Sequence, residues 1–217
     1  MTKQERIQKI IEETNRLKEY DNNISSVILG IDEVGRGPLA GPVVVTGVIM
    51  KEGSCIIGVR DSKKTTEKQR IELFEKIKED IVHSHTVFIS PQEIDQLNIE
   101  KATKKGMEEV ISVLGKKAEV ILVDGNDKLN ITDAEIIPKV RSIVKGDDNS
   151  YTIACASIYA KVIRDEYMTK QDTLYNGYEF SAHKGYGTKK HIEAIQKLGP
   201  CKLHRKTFIK NFVGGLK

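Results

Sequence analysis

Asp32, Glu33, Asp124 and Asp147 are the residues whose types and placement could do chemistry. Asp32 and Glu33 are adjacent, in Gly30-Ile31-Asp32-Glu33-Val34-Gly35-Arg36-Gly37-Pro38. Consecutive strand side chains point to opposite faces, so both carboxylates can reach one ion only where a strand ends. Crowded like charges are unfavourable unless a proton or cation neutralises them, and hard divalent ions prefer oxygen ligands. Asp124 closes a second apolar run, Val120-Ile121-Leu122-Val123-Asp124-Gly125-Asn126, at the sheet edge where open α/β folds place their sites. Asp147 and Asp148 follow Lys145-Gly146, ahead of a long helical stretch. Each has a plainer reading when taken singly: a charged strand-to-turn junction, an Asp-Gly turn, a helix cap. Taken together they suit phosphodiester hydrolysis, in which acidic ligands assemble two metal ions about 3.5–4 Å apart around the attacking water and the leaving oxygen.

Two further segments suit a nucleic-acid partner. Gly35-Arg36-Gly37 would bring main-chain amides and one guanidinium against a sugar-phosphate chain, although a tight turn explains the tripeptide equally well. His183-Lys184-Gly185-Tyr186-Gly187-Thr188 offers a tyrosine that can stack on a sugar or base beside a cation for phosphate; a loop with a packing tyrosine is the alternative. Residues 175–217 carry nine Lys/Arg against two Asp/Glu, and the rest of the chain 26 against 29. A basic tail on a slightly acidic body is what a phosphate backbone would favour; a solvated Lys-rich helical face is the plainer reading.

These groups need a frame to hold them. Ile7, Ile10, Ile11, Thr14 and Leu17 share one stripe of a helix over residues 3–20. Strands are predicted at Val27 to Ile31, Pro42 to Met50, Cys55 to Val59, Thr86 to Ile89 and Ala118 to Val123, with Ile136 to Val144 extended. Capping boxes at Thr66/Gln69 and Ser90/Glu93 start two helices, the second with Pro91 at its first position. A further helix spans Ile99 to Leu114 and ends at Gly115. A long helix runs from Asn149 to about Tyr175, with Asp148 as its candidate cap, and its small residues Ala154, Ala156, Ser157 and Ala160 fit against a sheet. A last helix starts at Thr188 and stops at Gly199-Pro200. This alternation implies a mixed sheet with helices on its faces.

At 217 residues the chain holds one sizeable core and a small appendage. No apolar run approaches the roughly 20 residues of a membrane span, and the amino terminus mixes both charge signs, unlike a signal peptide. Cys55, Cys155 and Cys201 are scattered and odd in number, which predicts reduced thiols in a cytoplasm rather than a disulfide frame or a zinc site.

In order, IDEVGRGPLAGPVV, DSKK, ILVDGN, KGDDNS, ACASIYAKVIRD, HKGYGTKKH and LHRKTF resemble the type 2 ribonuclease H family, in its bacterial form ribonuclease HII. The likeness runs from residue 28 to about 210. Val34 replaces the family's usual Ala, and Thr207 a common Ser. The resemblance implies a ribonuclease H-like α/β fold, a mixed five-stranded sheet flanked by helices, with a basic helical segment at the carboxyl end. Residues 1–24 lie outside the likeness and are expected to form a helical extension of open role, ahead of a catalytic domain over 25–217. The resemblance implies a site of Asp32, Glu33, Asp124 and Asp147 holding two ions of Mg²⁺ or Mn²⁺. It implies that Gly35, Arg36 and Gly37 read the ribose 2′-hydroxyl, that Tyr186 senses the junction between a ribonucleotide and the next deoxyribonucleotide, and that Lys63, Ser157 and Lys161 approach the substrate backbone. The expected partners are RNA–DNA hybrid and ribonucleotide-containing duplex DNA, and the expected state is a monomer. Asp165, four residues after Lys161, is expected to be that lysine's partner on a helix surface and not a metal ligand. Two rivals make other demands. A non-catalytic binding module leaves the strand-end acids unexplained, and a small-molecule phosphatase needs no Gly-Arg-Gly reader.

Overall fold

The computed structural model describes residues 2–126 and 128–213. The chain runs α1 (Lys3–Asn22), β1 (Ile28–Val34), β2 (Val43–Met50), α2 (Glu67–Asp80), β3 (Ile81–Ile89), α3 (Pro91–Leu97), α4 (Ile99–Leu114), β4 (Val120–Asp124), β5 (Val140–Ile143), α5 (Tyr151–Asp172), α6 (Phe180–His183), α7 (Lys189–Leu198) and α8 (Lys206–Ile209). The five strands form one sheet in the order β3-β2-β1-β4-β5. β1 pairs antiparallel with β2, and β2 with β3; β4 lies parallel to both β1 and β5. The expected α/β frame is therefore present.

Each face of the sheet buries its own apolar layer. Leu29, Ile31, Val45, Ile121 and Val123 pack with Met107, Val110 and Ile111 of α4. On the other face Ile28, Val120 and Leu122 meet Ile153 of α5. Gly30 lets α5 approach closely, since a Cβ there would fall 2.5 Å from the Thr152 carbonyl carbon. No helix among the described residues is long and apolar enough to cross a membrane.

Several expected elements differ. Cys55 to Val59 is not a strand, because its backbone is satisfied by helices instead of a neighbouring strand. The Ile56 amide donates to Tyr151 Oη (2.9 Å) and the Gly58 amide to Thr14 Oγ1 (3.0 Å). β3 starts five residues before Thr86; His83, Ser84 and His85 hide an edge strand that the apolar pattern misses. Residues 136–144 split into a single 3-10 turn at Ile137–Lys139 followed by β5. Ser150, not Asp148, caps α5: its side chain accepts from the Ile153 amide (3.2 Å), while Asp148 is ion-paired with Lys64. The two capping boxes, the Gly115 end of α4 and the Thr188 start of α7 are as predicted.

Candidate active site

Strand register decides where the carboxylates meet. Ile31 of β1 pairs with Val123 of the parallel strand β4, so Asp32 and Asp124 come next on neighbouring strand ends. Both continue the face covered by α5, after Ile28 and Gly30 on one strand and Val120 and Leu122 on the other. Glu33 begins on the opposite side, but it stands where β1 runs out. One oxygen from each of Asp32, Glu33 and Asp124 lies within 4.8 Å of the others. The Glu33 amide donates to Asp32 Oδ1 (2.7 Å), and Arg36 Nη1 lies 3.4 Å from Glu33 Oε1.

Three carboxylates that close repel one another unless a cation or proton intervenes. Asp32 is only 4% exposed. Burial first, then the charges of Glu33 and Asp124, push its carboxyl well above the usual range, while a hydrogen bond from Ser157 opposes the shift. The donor set is all hard oxygen, which suits Mg²⁺ or Mn²⁺ better than softer metals. The residues present therefore fit a divalent ion.

Asp147 stands apart from this trio. It sits in a 3-10 turn, Gly146–Asp148, that Lys145 enters with left-handed backbone (φ 55°). The Gly146 amide donates to Asp124 Oδ1 (2.6 Å), tying the turn to the cluster. Asp147 itself is buried and faces Lys63, whose Nζ is 3.3 Å from Oδ2. Burial raises its pKa, and Lys63 partly offsets the rise. Lys63 thus supplies positive charge beside the acids.

A second wall faces the acids. One cleft is lined by Asp32, Glu33 and Asp124, by residues 35–37, and by Lys63, Ser157, Lys161 and Tyr186. Gly35 has φ +94°, and a Cβ on it would lie 2.3 Å from Arg164 Nε, so only glycine fits this turn. Tyr186 is 41% exposed, with Lys161 Nζ and Arg164 Cζ each 5.9 Å from its ring centre. Lys161 pairs with Asp165 at 2.7 Å, as expected, but the pair is largely buried and not on an open helix surface. Burial lowers the Lys161 pKa, and Asp165 opposes the shift.

Sequence reasoning missed what holds this second wall. Arg164 and Arg205 are fully buried, and among the described residues neither forms an ion pair with a carboxylate. Arg164 donates to the carbonyls of Pro42 (2.9 Å), Lys184 (3.0 Å) and Ala40 (3.1 Å). Arg205 donates to those of Gly35 (2.6 Å), Arg36 (2.9 Å) and Gly41 (2.8 and 3.0 Å). The signal was an arginine set among the small and apolar residues of α5, and another in the LHRKTF segment. Ser62 and Arg70 also line the cleft and were not singled out.

Comparison with known proteins agrees with this geometry. The family model described as Ribonuclease HII matches residues 29–211. The chain belongs to the ribonuclease HII family. Ribonuclease HII of Caldicellulosiruptor saccharolyticus is 47% identical over 186 residues, covering 86% of this chain and 88% of that protein. Ribonuclease HII of Ruminiclostridium cellulolyticum is 46% identical over 210 residues, 96% of this chain and 79% of that one. The ribonuclease HII solved in complex with PCNA from Archaeoglobus fulgidus superposes with a TM-score of 0.69 at 26% identity, covering 82% of this chain and 93% of that one. The chain is accordingly a metal-dependent endoribonuclease, a hydrolase of the type 2 ribonuclease H class, and its substrates are nucleic acids that contain RNA.

Proposed function

We propose that the chain cuts the RNA strand of RNA–DNA hybrids and also incises duplex DNA at single embedded ribonucleotides, leaving a 5′-phosphate and a 3′-hydroxyl. The observation that carries this reading is the convergence of three carboxylates, in one cleft, opposite a glycine-arginine-glycine turn and an exposed tyrosine. Asp32, Glu33, Asp124 and Asp147 are the proposed holders of two divalent ions. When bound, such ions supply a nucleophilic water at neutral pH and stabilise charge on the leaving oxygen.

The chain's own residues supply position and discrimination. Amides of the 35–37 turn, with Arg36, take the ribose 2′-hydroxyl, the group that separates RNA from DNA at a given site. Tyr186 stacks at the junction with the following deoxyribonucleotide. Lys63, Ser157 and Lys161 approach the backbone, Lys63 exchanging its pairing with Asp147 for a phosphate. No side-chain nucleophile is needed. A monomer working in the cytoplasm completes the reading.

One gel tests it: duplex DNA with a single ribonucleotide, incubated with and without Mg²⁺ and with EDTA. The expected result is one metal-dependent cut at the ribonucleotide, with 3′-hydroxyl and 5′-phosphate ends. Cleavage that persists in EDTA, or an intact duplex alongside a cut RNA–DNA hybrid, contradicts the metal or the single-ribonucleotide part respectively.

A further inference from the structure

The family match begins at residue 29, so α1 lies outside it. Its buried residues include Leu17, which joins the core under α5, and two polar side chains, Thr14 and Asp21. Thr14 Oγ1 accepts from the Gly58 amide (3.0 Å) and lies 3.3 Å from the Val59 carbonyl. Asp21 accepts from both the Thr152 amide (2.8 Å) and its hydroxyl (2.7 Å), in the first turn of α5.

Glu13 and Arg16, on either side of Thr14, reach the segments beside the acid site. Glu13 pairs with Arg60 (3.6 Å) and Lys64 (3.1 Å), and Lys64 continues to the Asp148 carboxylate. Arg16 Nη2 donates to the Asp148 carbonyl at 2.6 Å. So α1 grips the 58–64 loop and the 146–148 turn at once. Those two segments carry Lys63 and Asp147, which face each other at 3.3 Å. The turn needs such a hold, because Lys145 enters it in a backbone region that side chains other than glycine rarely adopt.

We infer that α1 is a positioning strut for the cation site, with Glu13 and Arg16 fixing the 146–148 turn so that Asp147 is held beside the Asp32–Glu33–Asp124 cluster. The inference rests on the reading of Asp147 as the fourth ligand. Neither Glu13 nor Arg16 touches substrate or metal; both act through Asp147. The carboxylate of Glu13 fixes Lys64 and Arg60, and the guanidinium of Arg16 fixes one peptide carbonyl. A ligand held less firmly binds more weakly, since supporting partners around a metal site set the geometry of the ligands themselves.

Isothermal titration of the full-length protein with MgCl₂ alone, and separately with MnCl₂ alone, tests this without recourse to activity. Arg16→Ala is expected to weaken binding about tenfold, the lower end of what losing an outer partner costs. Glu13→Gln should weaken it by less. Arg16→Lys should recover most of the affinity, because an ammonium can donate to the same carbonyl. Gln8→Ala, on the exposed side of the same helix, should bind as the wild type does. The double variant Arg16→Ala/Asp147→Asn should bind no worse than Asp147→Asn, as it must if Arg16 acts through that carboxylate. Wild-type affinity in Arg16→Ala, with Asp147→Asn weakened, overturns the strut and leaves the ligand assignment standing. Wild-type affinity in Asp147→Asn overturns the assignment and the strut with it.

Discussion

The two walls of the cleft are held in opposite ways. The acid wall is built from strand ends, and its like-charged groups lean on one another: Asp32, Glu33 and Asp124 bring their oxygens within 4.8 Å. The facing wall is carried largely by loops, at 35–37 and around Tyr186. Its turn at 35–37 is fixed from behind by a buried guanidinium that spends its donors on backbone carbonyls. One wall stores repulsion that a cation relieves, whereas the other buries a cation to hold loops still. A sheet can hold repelling groups in place because its register is set by the whole core. Loops have no such register and need dedicated donors.

The sharpest way to break the comparison is to remove one charge from each wall. Asp124→Asn should leave the fold and hybrid binding intact while cleavage falls about a thousandfold or more, as expected when several kcal/mol of metal-borne stabilisation is lost. Single-turnover kinetics and a gel-shift measure the two separately. Full activity in this variant removes Asp124 from the site. On the other wall, Arg205→Met should cost about 3 kcal/mol or more of stability, since it orphans the buried carbonyls of Gly35, Arg36 and Gly41. Urea denaturation reads this directly. A loss below about 1 kcal/mol would mean that water takes over those carbonyls and the loop is not arginine-held.

The second wall also depends on a pair of neutral imidazoles. The Cys201 amide donates to His204 Nδ1 (2.9 Å), so His204 carries its proton on Nε2 and offers it to His191 Nε2 (3.1 Å). His191 then donates from Nδ1 to the Tyr186 carbonyl (2.9 Å). Burial depresses both histidines to about 4. For a lowered histidine the unfolded chain binds the proton first. This share of stability is therefore whole above about pH 6.5 and is lost as pH falls towards 4. A fall of roughly 3 kcal/mol or more across that window is expected, and His191→Asn/His204→Gln should flatten it. An equally steep fall in the double variant assigns the effect elsewhere. The smallest effect concerns Tyr186→Ala. Single-ribonucleotide substrates should lose about tenfold in kcat/KM, the scale of one lost stacking contact, and long hybrids less. Equal losses on both substrates would dissolve the junction role.

The same division governs what could be read in the sequence. Asp32 and Asp124 announce themselves because each closes an apolar run, and parallel pairing of those strands brings them together. Glu33 follows from its position at the strand end. Asp148 reads as a cap, yet Ser150 takes that role and Lys64, far away in the chain, claims the Asp148 carboxylate. Residues 55–59 have a strand-like composition, yet the amides of Ile56 and Gly58 go to Tyr151 and Thr14. Such cross-chain donors leave no periodic trace. For the same reason Arg164 and Arg205 leave only the faint trace of an arginine among small or apolar neighbours; the carbonyls they bond lie far away in the chain. The resemblance to type 2 ribonucleases H supplied the grouping of Asp147 with the trio, which spacing alone left open.

The central claim is that Asp32, Glu33 and Asp124 share a divalent cation. Crystals grown with Mn²⁺ and measured for its anomalous scattering test it most directly. The expected result is a peak bonded to oxygens of all three residues, lost in Asp124→Asn. A fully occupied peak elsewhere on the protein, with none between these carboxylates, would contradict it.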